Sequence, residues 1–433
     1  MSQSTSEAGL GLSLQVGKYD IQKMLGRGST GTVYLARDQF TGREVALKTI
    51  EPEVFRDREF GAVYRTQFQN EASLAGKLRH PHIIAILDAV VGEDSGYIAM
   101  ELVTGGDLSQ YVMPDHLLAP ADVLQIGFKV CGAMDYAYRE RGIVHRDIKP
   151  ANIMIADGTE IRIADFGAAF LKKSQVAQSA AMGSPFYMAP EQIEGQDPTF
   201  HSDMYSLGVV LYELLTGRRP FAADKLENLV QHILTSVPPP PSALRPGLPR
   251  EIDTVVLRAM KKDPGQRYGT WAQFGVELSR AMSLVMPASA IPDSEKYLAL
   301  SKVEMLQLLS DAEFWELAGA GKWSRVPKGR AIVREDAPGA SFFFLAKGQA
   351  KVTKQGRLLN MINEGECFGE MAFIRGGEEP RHATVEAMTD AVLAEFEPDT
   401  FEKMSLAAQL HLTRALVRNT VERLALANPR IAR

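Results

Sequence analysis

The chain has 433 residues, enough for two or three domains that each bury a hydrophobic core. Hydrophobic residues make up 45% and charged residues 23%, a composition that argues against disordered, fibrous and low-complexity proteins. The 48 basic residues are outnumbered by 53 acidic ones, and the net charge of −5 gives no general attraction to nucleic acid or anionic lipid.

The cysteines and the amino terminus indicate the compartment. Cys131 and Cys367 lie far apart, which excludes a disulfide framework and a Cys-rich zinc site and favours a reducing compartment. Residues 1–9 are polar without signal-peptide features, and no stretch approaches the roughly 18 apolar residues of a membrane span. We expect a disordered tail over residues 1–18 and a soluble, cytoplasmic protein with neither nucleic acid nor membrane as partner.

Strand patterns precede helical patterns in the first part of the chain. Residues 19–21, 32–36 and 44–50 alternate as strands do and are separated by turns that contain glycine. A helical pattern follows and ends at His80-Pro81. Its apolar residues are Phe68, Ala72, Leu74, Ala75 and Leu78. From residue 117 to about 282 helical patterns dominate, so we predict a β-rich lobe followed by a larger α-rich lobe.

A second domain is predicted after a linker. Residues 287–293 are the best linker, since helical patterns continue past the prolines at 238–241. Residues 301–318 have helical periodicity, and glycines then divide residues 322–397 into short apolar runs typical of a small β-sandwich or barrel. Residues 399–426 are predicted to form one amphipathic helix. The apolar face of that helix is expected to consist of Phe401, Met404, Leu410, Leu412, Leu416, Val417, Val421 and Leu424.

A glycine-rich segment connects two of the predicted strands. Residues 26–33, GRGSTGTV, run into a strand, whereas a dinucleotide-binding turn would be followed by a helix. Glycines allow such a hairpin to lie over a triphosphate and present its backbone N–H groups to the oxygens. Taken alone, the segment fits a plain glycine-rich hairpin equally well.

One lysine on an apolar strand points to an anionic partner. Lys48 ends the run VALK, where a long cation is disfavoured unless an anion balances its charge. Nucleotide phosphates and Glu71 on the following helix are the candidate partners. The alternative for Glu71 is an ordinary solvated position on that helix.

Two further segments carry groups suited to phosphoryl transfer. Residues 145–152, HRDIKPAN, precede the DFG sequence that begins at Asp165. Asp165 and Asn152 offer the oxygen ligands that Mg²⁺ prefers. Asp147 can orient a hydroxyl or accept its proton, and Lys149 can neutralise charge on the moving phosphoryl group. His145 is expected to pack in the core.

These motifs together resemble a protein family. Residues 188–191, MAPE, and 203–208, DMYSLG, complete a set that makes residues 19–282 similar to a eukaryotic-type Ser/Thr protein kinase domain of the kind also found in bacteria. The resemblance implies a bilobal kinase fold, ATP and Mg²⁺ as cofactors, and protein Ser/Thr hydroxyls as substrates. It also implies a salt bridge between Arg267 and Glu191.

The resemblance assigns further residues. Adenine is expected against the hinge at residues 100–103, and the implied nucleotide-binding residues are Gly26, Gly28, Gly31, Val33, Ala46, Lys48, Glu101 and Val103. Lys149 indicates Ser/Thr rather than Tyr substrates. Ser184 stands where the family usually has Thr, and its hydroxyl is expected to keep the contact. Arg146 suggests a loop ordered by phosphorylation, for which Ser179 is the predicted site.

The second domain carries its own candidate ligand site. Residues 368–372, FGEMA, and 381–385, RHATV, lie among the short strands. Glu370 suits a ribose 2′-OH and Arg381 a phosphate. Residues 301–428, after a linker at 283–300, therefore resemble a cyclic-nucleotide-binding domain, a β-roll or jelly roll with flanking helices whose last helix covers the base. The implied ligand is cyclic AMP or cyclic GMP, bound by Gly369, Glu370, Arg381 and Ala383.

Three departures from the family pattern keep an alternative open. The loop over residues 375–380 is one or two residues longer than usual, it brings Glu378 and Glu379 near the expected phosphate, and His382 replaces a small residue. The segment could therefore be kept for packing or for another anionic ligand. In that case Glu370 and Arg381 could simply pair as an exposed salt bridge.

The expected fold class is α+β, and the leading hypothesis is a Ser/Thr kinase controlled by a ligand of the second domain. A pseudokinase scaffold is the first alternative. The loss of any one member of the catalytic set would favour it, but all members are present: Lys48, Glu71, Asp147, Asn152 and Asp165. The sensor half of a transcription factor is the second, but no basic recognition helix is visible before Arg433.

Overall fold

The computed structural model describes residues 15–28, 31–50, 53, 56–57, 61–74, 76–92, 95–167, 185–376 and 380–431. It divides into two compact units, Met1–Val285 and Met286–Arg433. Strand β1, Gln15–Val16, pairs with the start of the next strand, so the predicted tail does not extend to residue 18. Val16 packs against buried Tyr19 and its neighbours, which explains why this part of the tail is ordered.

The first unit opens with a six-stranded antiparallel sheet in the order β1-β2-β3-β4-β6-β5. The remaining strands are β2 Tyr19–Gly28, β3 Gly31–Asp38, β4 Glu44–Ile50, β5 Ile86–Val91 and β6 Gly96–Glu101. Because side chains alternate along a strand, each face collects its own apolar cluster. Ala46 and Met100 lie in one cluster, and Leu47 and Ala99 lie in the other.

Helix α1, Gly61–Ser73, packs against β5 and is shorter than predicted. The apolar pattern continues to Leu78, yet the helix ends five residues earlier. Beyond the helix, Gly76 has a φ of +68°, a left-handed conformation that prevents the helix from continuing to Leu78. Leu74 and Leu78 are still buried, because the turn keeps them in the core after the helix has ended.

The rest of the first unit is mainly helical, as predicted. Its helices are α2 Pro120–Arg141, α3 Pro190–Ile193, α4 Phe200–Thr216, α5 Leu226–Thr235, α6 Pro241–Leu244, α7 Arg250–Ala259 and α8 Trp271–Met282. A two-stranded ribbon, β7 Ile153–Asp157 and β8 Glu160–Ile163, follows a 3₁₀ turn at Pro150–Asn152. Helix α4 is buried almost throughout and packs against α2 and α7. The prolines at 238–241 lie inside this unit.

The second unit is β-rich with flanking helices. Helices α9 Asp293–Ser301 and α10 Asp311–Ala320 precede two four-stranded antiparallel sheets. The strands are β9 Lys322–Val326, β10 Ala331–Val333, β11 Phe342–Lys347, β12 Ala350–Lys354, β13 Arg357–Ile362, β14 Cys367–Phe368, β15 Thr384–Ala387 and β16 Ala391–Phe396. The orders are β10-β15-β12-β13 and β14-β11-β16-β9. Helix α9 occupies part of the predicted linker at 283–300.

The predicted single terminal helix is two helices. After the short α11 at Glu370–Ile374 come α12, Pro398–Glu402, and α13, Leu406–Ile431. Ser405 interrupts the run because its hydroxyl accepts the Ala408 N–H at 3.2 Å and donates to Glu316 at 2.7 Å, as a helix N-cap does. The predicted apolar face is confirmed only in part. Met404, Leu412 and Leu416 are buried, whereas Leu410, Val417 and Val421 are exposed, and the Leu424 side chain lies outside the described residues.

Candidate active site

A buried ionic cluster joins three elements of the first unit. Lys48 Nζ on β4 lies 2.7 Å from Glu71 Oε2 on α1 and 3.3 Å from Asp165 Oδ1, which follows β8. Lys48 and Glu71 are buried, while a third of the Asp165 side chain is exposed. Burial lowers the pKa of Lys48, but the charges of Asp165 and Glu71 outweigh burial, so the pKa lies above its ordinary value. The predicted pairing of Lys48 with Glu71 is confirmed.

The glycine-rich hairpin lies beside that cluster in the sheet. Gly28 pairs with Gly31 across the turn, and Val33 pairs with Lys48 on the next strand. Gly31 has a φ of +148°, and a Cβ there would lie 2.1 Å from the Thr49 carbonyl oxygen, so only glycine fits. Val33, Ala46 and Val103 belong to one apolar cluster, as an adenine site between strands and hinge requires. Ser29 and Thr30 lie outside the described residues.

The segment from His145 to Asn152 holds its carboxylate in place by local bonds. Lys149 Nζ donates to Asp147 Oδ2 at 2.7 Å, and Asn152 Nδ2 donates to Asp147 Oδ2 at 3.0 Å and to its carbonyl at 2.8 Å. Asp147 is therefore oriented from two sides and stays partly exposed, as a group that meets a substrate hydroxyl must be.

A buried aspartate also holds the segment from His145 to Asn152 through hydrogen bonds to its backbone. Asp203, at the start of α4, accepts the backbone N–H groups of His145 and Arg146, each at 2.7 Å. These bonds hold Arg146 at a φ of +70°, a conformation that costs free energy unless the surroundings impose it. Burial raises the pKa of Asp203 to about 6. His145 is fully buried against Phe166, which confirms its predicted packing role.

Asp165 and Asn152 could serve a magnesium ion. Asp165 has a φ of +64°, and burial raises its pKa, but the charges of Lys48 and Lys149 outweigh burial and keep the carboxylate ionised. The Asn152 bonds to Asp147 use its amide nitrogen, so its amide oxygen could bind a metal. The described residues include no group of three or more His, Cys, Asp or Glu arranged as a metal site. Two protein oxygens fit Mg²⁺ that also binds phosphates and water.

A bidentate salt bridge joins Arg267 to Glu191, the last residue of the MAPE motif. Arg267 Nη1 and Nη2 lie 2.7 and 2.8 Å from the two Glu191 carboxylate oxygens, both side chains are buried, and Ser202 donates to the same carboxylate. The predicted partnership of Arg267 with Glu191 is confirmed. Residues 168–184, which include the predicted phosphosite Ser179 as well as Ser184, lie outside the described residues.

Glu101 occupies an unexpected position for a nucleotide-binding residue. Its carboxylate accepts the Ala85 N–H at 2.9 Å and lies 3.2 Å from Arg162 Nε. Met100, the preceding residue, contributes to the cluster that contains Ala46 and Val103, so alternation along β6 turns the Glu101 side chain to the other face. The Glu101 side chain is therefore not available for the predicted contact with adenine, and its backbone N–H is bonded to the Ala85 carbonyl.

The candidate ligand residues of the second unit are buried. Arg381 Nη1 donates to the Ser341 carbonyl at 2.7 Å and lies 3.4 Å from the Gly369 carbonyl oxygen. Gly369 has a φ of +81°, and a Cβ there would lie 3.0 Å from Arg381 Nη1, so glycine allows the guanidinium to approach. Ala383 lies half-buried just before β15. Glu378 and Glu379 lie outside the described residues.

Glu370 does not pair with Arg381. Its Oε1 atom lies 3.0 Å from Arg423 Nη1, and Arg423 Nη2 also donates to the Cys367 carbonyl at 2.6 Å. The alternative of an exposed Glu370–Arg381 salt bridge is wrong, because both side chains are buried and each has another partner. The partner of Glu370 comes from α13, the predicted lid helix.

Comparison with known proteins agrees with this geometry. Residues 19–275 match the model of the protein kinase domain, and residues 323–407 match that of the cyclic nucleotide-binding domain. The chain belongs to the protein kinase family. This confirms the resemblance and the fold class drawn from its motifs.

Several relatives of this chain are bacterial kinases. The serine/threonine-protein kinase PknB of Mycobacterium leprae is 36% identical over 293 residues, 66% of this chain and 46% of the relative. The protein of that name from Mycobacterium tuberculosis is 36% identical over 303 residues, 68% of this chain and 46% of the relative. The chain thus spans less than half the length of these relatives. The crystal structure of a point mutant of the Mycobacterium tuberculosis PknI kinase domain covers 63% of this chain and 99% of its own, with a TM-score of 0.50 and 32% identity.

Three residues of these sites, Asp203, Arg162 and Arg423, have roles that their sequence context does not reveal. The DMYSLG motif draws attention to Asp203, but the motif alone does not show that its carboxylate accepts the backbone N–H groups of His145 and Arg146. Arg162 and Arg423 gave no signal, because their carboxylate partners lie 61 and 53 positions away on other elements. In the described part of the chain, every helix is too short or too polar to cross a lipid bilayer.

Proposed function

We propose that the chain is an ATP-dependent protein kinase that transfers the γ-phosphate to Ser and Thr hydroxyls of proteins. The observation that carries the proposal is the contact of Lys48 with both Glu71 and Asp165. This arrangement supports the proposal, because a cation lies beside a carboxylate that could hold Mg²⁺, as phosphoryl transfer requires. A scaffold that had lost the reaction would have no need to keep every member of this set.

Each residue of the cleft would have a distinct task. Lys48, held by Glu71, would bind phosphate oxygens. Asp147 would orient the substrate hydroxyl and receive its proton, and Lys149 would offset negative charge where the phosphoryl group moves. Asp165 and Asn152 would hold Mg²⁺, which when bound neutralises triphosphate charge.

The test is phosphate transfer from labelled ATP to a library of Ser/Thr peptides. Asp165→Ala removes the proposed metal ligand, and we expect the rate to fall by at least about a hundredfold, since metal stabilisation is worth several kcal/mol. Asp157→Ala is the matched control, an exposed aspartate at the end of β7. Equal rates for the wild type and Asp165→Ala, or no transfer by the folded wild type, would favour the scaffold.

We further propose that a cyclic nucleotide, or a related ligand with a phosphate and a ribose, controls the kinase through the second domain. Support comes from the burial of Glu370, which follows Gly369, and of Arg381, whose Nη1 lies 3.4 Å from the Gly369 carbonyl oxygen, together with the family match. Arg381 donates to carbonyl oxygens, which are weaker acceptors than a phosphate, so a phosphate could take over its guanidinium.

Control of this kind would act through α13. Arg423 connects this helix to Glu370, so a ribose 2′-OH that bonds to Glu370 would alter the bond that holds the helix. A ligand shifts a conformational equilibrium only by its difference in affinity for the two states. Exchange at Glu370 would supply such a difference.

Binding and control are tested separately. Calorimetry with cyclic AMP and cyclic GMP should detect binding to the wild type and a loss of at least about tenfold in Arg381→Ala, because a charge-assisted phosphate contact is lost. Arg357→Ala, on exposed β13, is the matched control. Transfer rates that do not change at saturating ligand would contradict control, and the absence of binding would favour a domain kept for packing.

A further inference from the structure

The side of the hinge that faces away from the nucleotide carries an ion pair with no assigned role. Glu101, the last residue of β6, donates its backbone N–H to the Ala85 carbonyl at 2.9 Å. Its carboxylate accepts the Ala85 N–H, also at 2.9 Å, so the residue holds Ala85 by two bonds. Arg162 Nε lies 3.2 Å from the same carboxylate oxygen. Both side chains are less than a quarter exposed, so water screens the pair only in part.

Arg162 connects this hinge residue to the strand that leads to the metal site. It lies on β8, three residues before Asp165, and its Nη1 also donates to the Ile161 carbonyl at 2.9 Å. The same strand bonds to the segment before β5: Ile84 N–H donates to the Ile163 carbonyl, and Ile163 N–H donates to the His82 carbonyl. The hinge and β8 are therefore joined by hydrogen bonds through residues 82–85.

The neighbouring histidines leave the pair undisturbed at neutral pH. Burial and the charge of Arg162 lower the pKa of His80 to about 3, and burial is also the main cause that lowers the pKa of His82. Both imidazoles are therefore neutral near pH 7. On β8, the nearby carboxylate of Glu160 already pairs with Lys129.

We propose that Glu101 and Arg162 form a positioning pair that sets the hinge main chain relative to β8, the strand that precedes Asp165, and so determines adenine affinity. The inference rests on the proposed kinase function. The pair touches no reacting atom. The pair acts by positioning Val103 and the main chain of Glu101. The distance from these hinge residues to the proposed metal site must match the length of bound ATP.

The test separates KM from kcat. Glu101→Gln keeps an acceptor for the Ala85 N–H and removes the charge, and Arg162→Met removes the partner while keeping most of the side-chain length. Each should raise the KM for ATP roughly three- to tenfold, with kcat within about twofold, since tenfold corresponds to about 1.4 kcal/mol. The double variant should resemble either single variant, because each change breaks the same pair.

Two controls make the result specific. Glu277→Gln breaks an exposed ion pair on α8 and should change neither constant. Adenosine affinity, measured by calorimetry, should fall in Glu101→Gln by the same factor as ATP affinity, whereas Lys48→Met should weaken ATP and spare adenosine.

Several outcomes would overturn the inference. They are an unchanged KM in both variants, additive effects in the double variant, or a fall in kcat matched by fewer folded molecules. Adenosine binding does not depend on turnover, so it tests the pair even if the wild type transfers no phosphate. In that case the proposed function fails, and the adenosine result alone decides the role of the pair.

Discussion

The two units arrange their functional charges in different ways. In the kinase unit, Lys48 contacts two carboxylates of the predicted site, and Lys149 contacts a third. In the second unit, the predicted ligand residues Arg381 and Glu370 do not pair with each other. Arg381 donates to main-chain carbonyls, and Glu370 pairs with Arg423.

This difference has a consequence for ligand binding. A nucleotide in the kinase cleft would add phosphate charge to groups already in position, which keeps reorganisation small. A ligand in the second unit would have to exchange existing partners, and one of these lies on α13. A pre-positioned cleft suits catalysis, and a site that must exchange partners suits a sensor.

The largest expected effect is a loss of stability of the kinase unit when the Arg267–Glu191 salt bridge is removed. Arg267→Met leaves the buried Glu191 carboxylate without its cation and should lower the free energy of unfolding by about 3–5 kcal/mol. Denaturant titration measures the change. Arg280→Met, which breaks an exposed pair, is the control and should cost less than about 1 kcal/mol. A loss as small as that of the control would mean that the bridge adds nothing.

The same bridge predicts a pH dependence. Burial raises the pKa of Glu191, but the hydrogen bonds and charge of Arg267 outweigh it and hold the pKa below its ordinary value of 4.5. The stabilisation is therefore fully present above about pH 4.5 and is lost as the pH falls through the lower pKa of the folded state. Between pH 7 and pH 3, the free energy of unfolding should fall less steeply in Arg267→Met than in the wild type.

The next effect tests whether the cleft is pre-positioned. Lys48→Met should lower kcat by about 10²–10³, the usual cost of removing one donor that stabilises developing charge. Lys23→Met, on exposed β2, is the control in single-turnover measurements of phosphate transfer. Activity within tenfold of the wild type would mean that phosphate binding depends on other groups.

A smaller effect tests the contact of α13 with the ligand site. Arg423→Ala should destabilise the second unit by only about 1 kcal/mol, because water screens a side chain that is 38% exposed. Hydrogen exchange should become faster along α13. Arg418→Ala, in an exposed i,i+4 pair of the same helix, is the control. Unchanged exchange in Arg423→Ala would remove the proposed route of control.

The smallest effect sharpens the assignment of the buried face of α13. Leu410→Ala should change the free energy of unfolding by less than about 0.5 kcal/mol, since the side chain is exposed. Leu412→Ala, two residues later and fully buried, should cost roughly 2–5 kcal/mol in the same thermal unfolding experiment. Equal losses would restore the predicted single face.

Local patterns predicted the parts of the fold that depend on neighbouring residues. Strands β2 to β4 and helices α2, α4, α7 and α8 follow from hydrophobic periodicity and turn residues. The Lys48–Glu71 pair could be predicted because a buried cation needs an anion, and the next helix supplied one. The end of α1 was missed, because its apolar pattern continues through a turn.

Contacts between distant segments could not be predicted in this way. Helical periodicity marks both Leu410 and Leu412 as apolar, and only packing against the core buries one and exposes the other. Likewise Ser405 begins a new helix partly because Glu316, 89 positions earlier, accepts its hydroxyl.

The sequence by itself determined the family, the order of the two domains and the identity of the cleft residues, because each depends on motifs in which the chemistry of the side chains leaves few alternatives. Only the tertiary structure decided the partners of Glu370 and Glu101. Glu370 meets Arg423 rather than Arg381, and the Glu101 side chain meets Arg162 rather than the nucleotide face, because long-range contacts depend on how all elements pack together.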